Sequence, residues 1–129
     1  TYAVMYPRDL STLTLADTLA PCAEYRQLKH HGFRLERTYF PDAKPDDLMT
    51  MFNLILSHDA EIEKIEAPTL IIAGEHDDHL FQEHSQLLEE RIANAQRVVI
   101  DGAGHVPNKE VPEDFNALLE MFVTDRYMP

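Results

Sequence analysis

The sequence predicts an α/β fold whose second half is a parallel β-α-β-α unit. Two short, continuous apolar runs, "TLII" at residues 69–72 and "VVI" at residues 98–100, have the composition of strands buried on both faces. A segment with helical spacing of apolar residues follows each run. Alternation of strand and helix is typical of parallel sheets with crossover helices, so the second half is assigned to that class.

The first strand and its helix are predicted from composition and periodicity. Residues 67–74 read "APTLIIAG", short, apolar and β-branched, with Pro68 at the start, where a strand tolerates proline. Residues 79–95 then predict an amphipathic helix of about four turns. Its predicted apolar side carries Leu80, Leu87, Leu88 and Ile92, opposite glutamates and an arginine.

The second strand and the last helix repeat the pattern. Val98, Val99 and Ile100 form a run closed by a Gly-Ala-Gly turn, which predicts a strand buried on both faces. Residues 112–127 open with proline and two acids, which suit a first helical turn. They continue with one helical stripe of Phe115, Leu118, Leu119 and Phe122.

The first half of the chain does not show this alternation of strands and helices. Residues 17–32 and 45–59 predict helices, and residues 33–40 predict a strand by their alternation. We therefore predict two regions, a mostly helical one at residues 1–66 and the β-α-β-α unit at residues 67–129.

Length and charge exclude several classes of protein. A chain of 129 residues fits one domain with a core. Eleven Lys and Arg against 23 Asp and Glu leave a net charge of −12, which repels phosphate backbones and anionic membrane surfaces. No apolar run approaches the roughly 20 residues that span a bilayer. We predict no nucleic-acid partner and no membrane association.

The cysteine content predicts a reducing compartment. Cys22 is the single cysteine and cannot form an internal disulfide. No charged segment followed by an apolar stretch opens the chain, as a secretory signal would. A cytoplasmic location is the expectation.

Titratable side chains follow both predicted strands of the second half. "GEHDD" at residues 74–78 follows the first strand, and "GAGH" at residues 102–105 follows the second. The carboxyl ends of parallel strands meet at one edge of a sheet, so an acid and a histidine are delivered to the same rim. A carboxylate bonded to imidazole sets its tautomer and stabilises its protonated form, as general acid–base catalysis requires.

Two other interpretations compete for these residues. His105 could be a turn histidine that satisfies local hydrogen bonds. A metal site is the second, with Glu75, His76, Asp77, Asp78, His79 and His84 as candidate ligands. Two ligands on one helical face need a spacing of three or four, whereas His79 and His84 differ by five. No cofactor or metal is therefore predicted, and His76 and His79 are expected at the rim.

Residues 65–123 resemble the C-terminal end of the α/β-hydrolase superfamily, with "IEAPTLIIAGEHDD", a helix, and "ANAQRVVIDGAGHVPNKEVPEDFNALLEMF" in the same order. By this resemblance Asp77 matches the family's catalytic acid and His105 its catalytic histidine. Asp78 is instead expected to cap the helix that follows. The resemblance also implies that residues 1–66 correspond to a cap inserted before the acid-bearing strand.

The nucleophile of that family is missing from the sequence. The family orders its triad as Ser, acid, His, with the serine in a G-x-S-x-G elbow. No such motif occurs here, and none of Ser11, Ser57, Ser85 and Cys22 has flanking glycines. Whether the chain is itself an enzyme therefore stays open at this point.

The predicted function is the C-terminal part of a small-molecule hydrolase that acts on an ester, C–C or related bond. It would supply Asp77 and His105 to a triad and be inactive alone. The alternative is a non-catalytic self-associating or partner-binding module derived from the same fold. Two parallel strands do not form a stable sheet by themselves, so a homo-oligomer or a complementing chain is expected.

Overall fold

The structure, a computed structural model, describes residues 2–16, 18, 42, 44 and 61–127. The predicted strand at residues 33–40 and the predicted helix at 45–59 lie outside these residues, and so does the helix at 17–32 apart from position 18. The division of the chain at residue 66 therefore stays a prediction.

A parallel sheet of three strands organises the described part of the chain. Its order is β1 (Leu13–Ala16), β2 (Thr69–Gly74) and β3 (Ala95–Ile100). Leu13 pairs with Thr69, and Thr69 pairs with Ala95 on its other side. The predicted fold class, a parallel α/β unit, is confirmed. β1 was not predicted, because a four-residue strand whose partner lies more than fifty positions away leaves a weak local pattern.

The remaining elements of the described residues are four α-helices and one 3-10 helix. The first is α1 (Tyr2–Met5), and the 3-10 helix Ile62–Lys64 precedes β2. α2 (His79–Arg91) joins β2 to β3. α3 (Pro107–Glu110) and α4 (Pro112–Tyr127) follow β3. The prediction for α4 is confirmed at both ends, and α2 ends four residues before the predicted limit.

β2 is buried along its whole length because helices pack on both of its faces. Successive side chains of a strand point to opposite faces. Ile71 lies in a cluster with Leu88 and Ile92, at the C-terminal end of α2. Leu70 and Ile72 lie in a second cluster, together with Ile100, Ala103 and Phe122. Each fully buried Leu or Ile stabilises the fold by about 1.5–3 kcal/mol, so β2 is the centre of the core.

The predicted apolar stripes of the helices face these clusters. Leu80, Leu88 and Ile92 are buried, and Leu87 packs against the first cluster. In α4, Phe122 is buried, and Phe115, Leu118 and Leu119 pack around it at the second cluster. The helical periodicity therefore identified the core-facing sides correctly.

The prediction that β3 is buried on both faces is wrong. Val99 is 37% exposed, Val98 is half-buried, and Ile100 alone among the six residues is buried. Within the described residues β3 pairs with β2 and with no other strand, so it forms an edge of the sheet. Arg97, two positions before Val99 and on the same face, meets α2 through polar contacts. That face of β3 is therefore not sealed by apolar packing.

Among the described residues, none of the helices has the length and apolar composition needed to cross a membrane.

Candidate active site

The acid loop, defined as residues 75–78, is bonded to the end of β3 and the turn beyond it. The N–H of Glu75 donates to Ile100 O at 3.0 Å, which continues the strand pairing by one step. The N–H of His76 donates to Ala103 O at 2.8 Å. Asp77 therefore follows two residues that are held against the neighbouring strand and its turn.

The histidine turn, defined as residues 101–105, depends on two glycines for its path. Gly102 has φ +71°, in the left-handed region that glycine adopts without a steric penalty. Gly74, at the end of β2, lets this turn come close: a Cβ there would lie 2.0 Å from Gly104 O and 2.6 Å from Ala103 O. The acid loop and the histidine turn are consequently in contact at the backbone.

Asp77 and His105 meet at this rim, as predicted. His105 Nδ1 lies 3.0 Å from Asp77 Oδ1 and 3.1 Å from Oδ2. The N–H of Asp78 donates to Oδ1 at 2.7 Å. An ionised carboxylate only accepts hydrogen bonds, so Nδ1 is the protonated ring nitrogen and Nε2 is the basic one. The prediction of a contact within hydrogen-bond reach is confirmed.

The two side chains differ in exposure. The carboxyl of Asp77 is fully buried, whereas the imidazole of His105 is 24% exposed. A buried carboxylate in low-dielectric surroundings interacts with a neighbouring positive charge more strongly than an exposed one does. The arrangement therefore places a desolvated acceptor against Nδ1 of His105 and leaves part of the ring accessible.

Phe81 packs beside the imidazole of His105. The ring centroids are 4.2 Å apart at an interplanar angle of 49°, and Phe81 is 7% exposed. The contact limits the orientations available to the histidine ring. The contact between Phe81 and His105 was not predicted from the sequence. The available signal was the position of Phe81 in the first turn of α2, next to the acid loop.

Asp78 performs the second predicted role. Its Oδ1 accepts from the N–H of Leu80 at 2.9 Å, which makes it the N-cap of α2. Asp77 and Asp78, although adjacent, thus face different partners. The structure supports the choice of Asp77 as the residue that contacts the histidine.

Three further histidines, His76, His79 and His84, were candidate metal ligands in the sequence. His76 is exposed with Nε2 3.5 Å from Glu75, and His79 is exposed with Nδ1 3.2 Å from Glu83. His84 is buried within α2. In residues 2–16 and 61–127, no three or more His, Cys, Asp or Glu side chains gather in a way that would hold a metal ion.

The described fold resembles solved hydrolase structures. A thermophilic esterase from Thermogutta terrifontis, solved with malate, aligns at a TM-score of 0.66 and 18% identity over 98% of this chain and 60% of the esterase. An α/β-hydrolase enzyme from a lagoon-sediment metagenome of Mar Chica, Morocco, aligns at 0.64 and 22% identity over 96% and 54%. The enol-lactonase from Burkholderia xenovorans aligns at 0.66 and 18% identity over 95% and 60%.

These matches establish the fold. The chain has the fold of part of an α/β hydrolase and spans between 54% and 60% of the length of these three structures. No protein-family model and no curated protein matched the sequence. The resemblance drawn from the sequence is thus confirmed for the fold, and the chemistry of the site has to be argued from its own residues.

Proposed function

We propose that this chain supplies the acid and the histidine of an α/β-hydrolase-type enzyme that hydrolyses a small molecule. The observation that carries the proposal is the buried Asp77 carboxylate, 3.0 Å from Nδ1 of the partly exposed His105. This is the arrangement by which an acid orients a general base in nucleophile–His–acid triads. The hydrolase fold of the described residues supports the same assignment.

The catalytic roles proposed for Asp77 and His105 follow from the contact of Asp77 with Nδ1, which leaves Nε2 of the same ring for the proton transfers. With Nδ1–H donated to Asp77, Nε2 of His105 accepts the proton of the nucleophile as that group attacks the substrate's electrophilic carbon. The resulting imidazolium is stabilised by the ionised Asp77 and returns the proton to the leaving group. Water, deprotonated by the same nitrogen, then attacks the covalent intermediate, the bond to the nucleophile breaks, and the nucleophile takes the proton back from Nε2. The proton transfers are common to ester, C–C and related bonds, so the proposal covers this substrate range.

The nucleophile is proposed to come from outside this sequence, in the same longer polypeptide or in a complementing chain. The sequence holds no G-x-S-x-G elbow, and Ser85 lies in the middle of α2, where its Oγ accepts from Arg97 Nε at 2.7 Å. The 129-residue chain alone is therefore expected to show no turnover of a p-nitrophenyl ester. Hydrolysis that a serine-directed inhibitor abolishes, with the label on Ser11, Ser57 or Ser85, would contradict this.

The test of the proposal uses the complete product of the reading frame that encodes this chain. H105A and D77N should each lower kcat for a chromogenic ester by about 10³-fold or more. Added imidazole should restore part of the H105A activity, since it replaces the missing base. H79A is the matched control, because His79 lies exposed on the same rim, and it should keep wild-type kcat. Retention of kcat in H105A would refute the proposed function.

A second candidate function, self-association as a non-catalytic module, has support from one exposed surface. Val98, Leu118, Met121 and Phe122 line a groove of about 370 Å³ between β3 and α4, with Gln96 and Asp125 also in its lining, and Met121 is 64% exposed. Exposed apolar side chains around a groove favour association with a second copy. Light scattering should then give a mass above that of the monomer, and M121E should lower it. A monomeric mass at all concentrations would contradict this candidate.

A further inference from the structure

The structure assigns positioning roles to Glu75 and Glu110, two glutamates that hold the histidine turn from opposite sides. The inference rests on the proposed function, because it concerns how His105 is held in position against Asp77. The two residues are far apart in sequence, yet each carboxylate accepts an N–H of the same short turn. Together they are called the glutamate clamp.

Glu75 holds the turn from the acid loop. Its Oε2 accepts from the N–H of Gly102 at 2.8 Å, while its own N–H donates to Ile100 O at 3.0 Å. Side chain and backbone of one residue thus both bind the segment that leads to His105. Because Glu75 lies two positions before Asp77, it connects the backbone of the acid loop to the backbone of the histidine turn.

Glu110 holds the turn from the other direction. It is the last residue of α3, and its carboxylate accepts from the N–H of Gly104, the residue before His105. A Cβ on Gly104 would lie 3.1 Å from Glu110 Oε2, so the carboxylate sits directly against the glycine backbone. The chain from residue 104 to residue 110 therefore forms a closed loop that contains His105.

The turn needs such external acceptors because of its composition. Two of its five residues are glycine, the residue that loses the most conformational freedom on folding. Hydrogen bonds to a charged acceptor are stronger than those between neutral groups. Displacement of catalytic groups by about 1 Å can cost on the order of 10²-fold in rate. The clamp places the Cα of His105, and Asp77 and Phe81 then orient its ring.

The contact of Glu75 with His76 does not account for this geometry. His76 Nε2 lies 3.5 Å from Glu75 Oε2, and both side chains are well exposed to solvent. Exposed ion pairs of this kind contribute little. H76A therefore removes the ion pair and leaves the bond to Gly102 in place, which separates the two roles of Glu75.

The test measures His105 directly in the 129-residue chain. NMR of ¹⁵N-histidine-labelled protein gives the exchange rate with water of the Nδ1 proton that Asp77 accepts, assigned by its loss in H105Q. E75A and E110A should each raise this rate by about two- to tenfold, the range expected for removing one solvent-exposed hydrogen bond. E75Q and E110Q should stay close to wild type, since an amide oxygen still accepts an N–H.

Two matched controls accompany these variants. E83A removes a glutamate whose side chain is about as exposed as that of Glu75 and whose contact is with His79. It should leave the exchange rate unchanged, as should H76A. Wild-type exchange in folded E75A and E110A would overturn the inference.

Two further measurements cover the other outcomes. If an alanine variant does not fold, E75D and E110D keep the charge but are one methylene shorter, and the same increase in exchange is expected. A wild-type rate in the aspartate variants would overturn the inference. Failure of the proposed function shows differently, as ester turnover that persists in H105A, and does not alter the NMR result.

Discussion

β2 is buried at all six of its positions, whereas in β3 only Ile100 is buried and Val99 is 37% exposed. Both strands carry a continuous apolar run of similar character. They differ because β2 pairs on both sides, with β1 and β3, and β3 pairs within the described residues with β2 alone. An apolar run therefore identifies a strand of a parallel sheet without giving its place in the sheet.

The side chains in the loops after the two strands also differ in burial. The loop after the central strand buries the Asp77 carboxyl completely, and the turn after the edge strand leaves the His105 ring 24% exposed. Acid–base catalysis by this pair needs both conditions. The carboxylate is most effective when desolvated, and the imidazole has to reach other groups. The central strand and the edge strand thus serve different halves of one proposed function.

The largest effect of a core substitution is expected from I72A. Ile72 has no exposed surface and belongs to the second cluster with Leu70 and Phe122. Truncation of a buried isoleucine to alanine costs about 2–5 kcal/mol. Urea denaturation followed by circular dichroism measures the loss. A cost below that range would mean that the centre of the sheet is more loosely packed than the structure shows.

A smaller but more specific effect is expected from G74A. The added Cβ would overlap the carbonyl of Gly104 at 2.0 Å, so the acid loop and the histidine turn have to separate. Overpacking of this kind costs about 1–3 kcal/mol. The His105 Nδ1 proton should exchange faster as well. G102A separates overlap from backbone strain: Gly102 has φ +71° and open space around it, so this variant should lose stability through its backbone alone, and exchange at His105 should also rise because the histidine turn is strained.

A loss of stability smaller than that of G74A is expected from D78A. The substitution removes the side-chain acceptor for the N–H of Leu80 at the start of α2, which costs about 1 kcal/mol. D78N should be close to wild type, because asparagine caps equally well. Both variants should keep the Asp77–His105 contact, visible as an unchanged Nδ1 proton resonance. Loss of that resonance in D78N would show that the two aspartates do not act separately.

The smallest effect is expected from V99T. The substitution keeps a β-branched side chain at a position that is 37% exposed, so stability should change by less than about 0.5 kcal/mol. Urea denaturation at low protein concentration measures it. A cost approaching that of I72A would mean that Val99, on the face of β3 opposite the groove beside α4, is packed more tightly than the structure shows.

Local patterns in the sequence predicted the elements whose signals are periodic and long. The bounds of α4 followed from its proline, its first-turn acids and its apolar stripe, and the core-facing side of α2 followed from its leucines. Asp78 as a cap and Asp77 as the partner of His105 were also expected before the structure and are confirmed as contacts. The catalytic role of Asp77 and His105 stays a prediction.

Other features of the structure could not be predicted from local patterns in the sequence. β1 is four residues long and depends on its pairing with β2, so composition around residue 13 did not indicate it. The bond from Glu110 to Gly104 depends on the path of α3, a single helical turn that the sequence did not predict. The exposure of Val99 depends on what lies beside β3. Each of these properties belongs to a pair of segments and not to one segment.

The sequence by itself determined that the two apolar runs lie in strands of the β-α-β-α unit, which sides of its helices face the core, and which two loops carry an acid and a histidine. These follow from hydrophobic periodicity and turn chemistry, which act over a few neighbouring residues. The tertiary structure decided that, within the described residues, β2 is central and β3 is an edge, that Asp77 is buried against His105, and that Glu75 and Glu110 bond to the histidine turn. The pairing of β2, the Asp77–His105 contact and the Glu75–Gly102 bond join segments distant in sequence, and the Glu110–Gly104 bond depends on the path of the chain over six residues, so only folding brings these groups together.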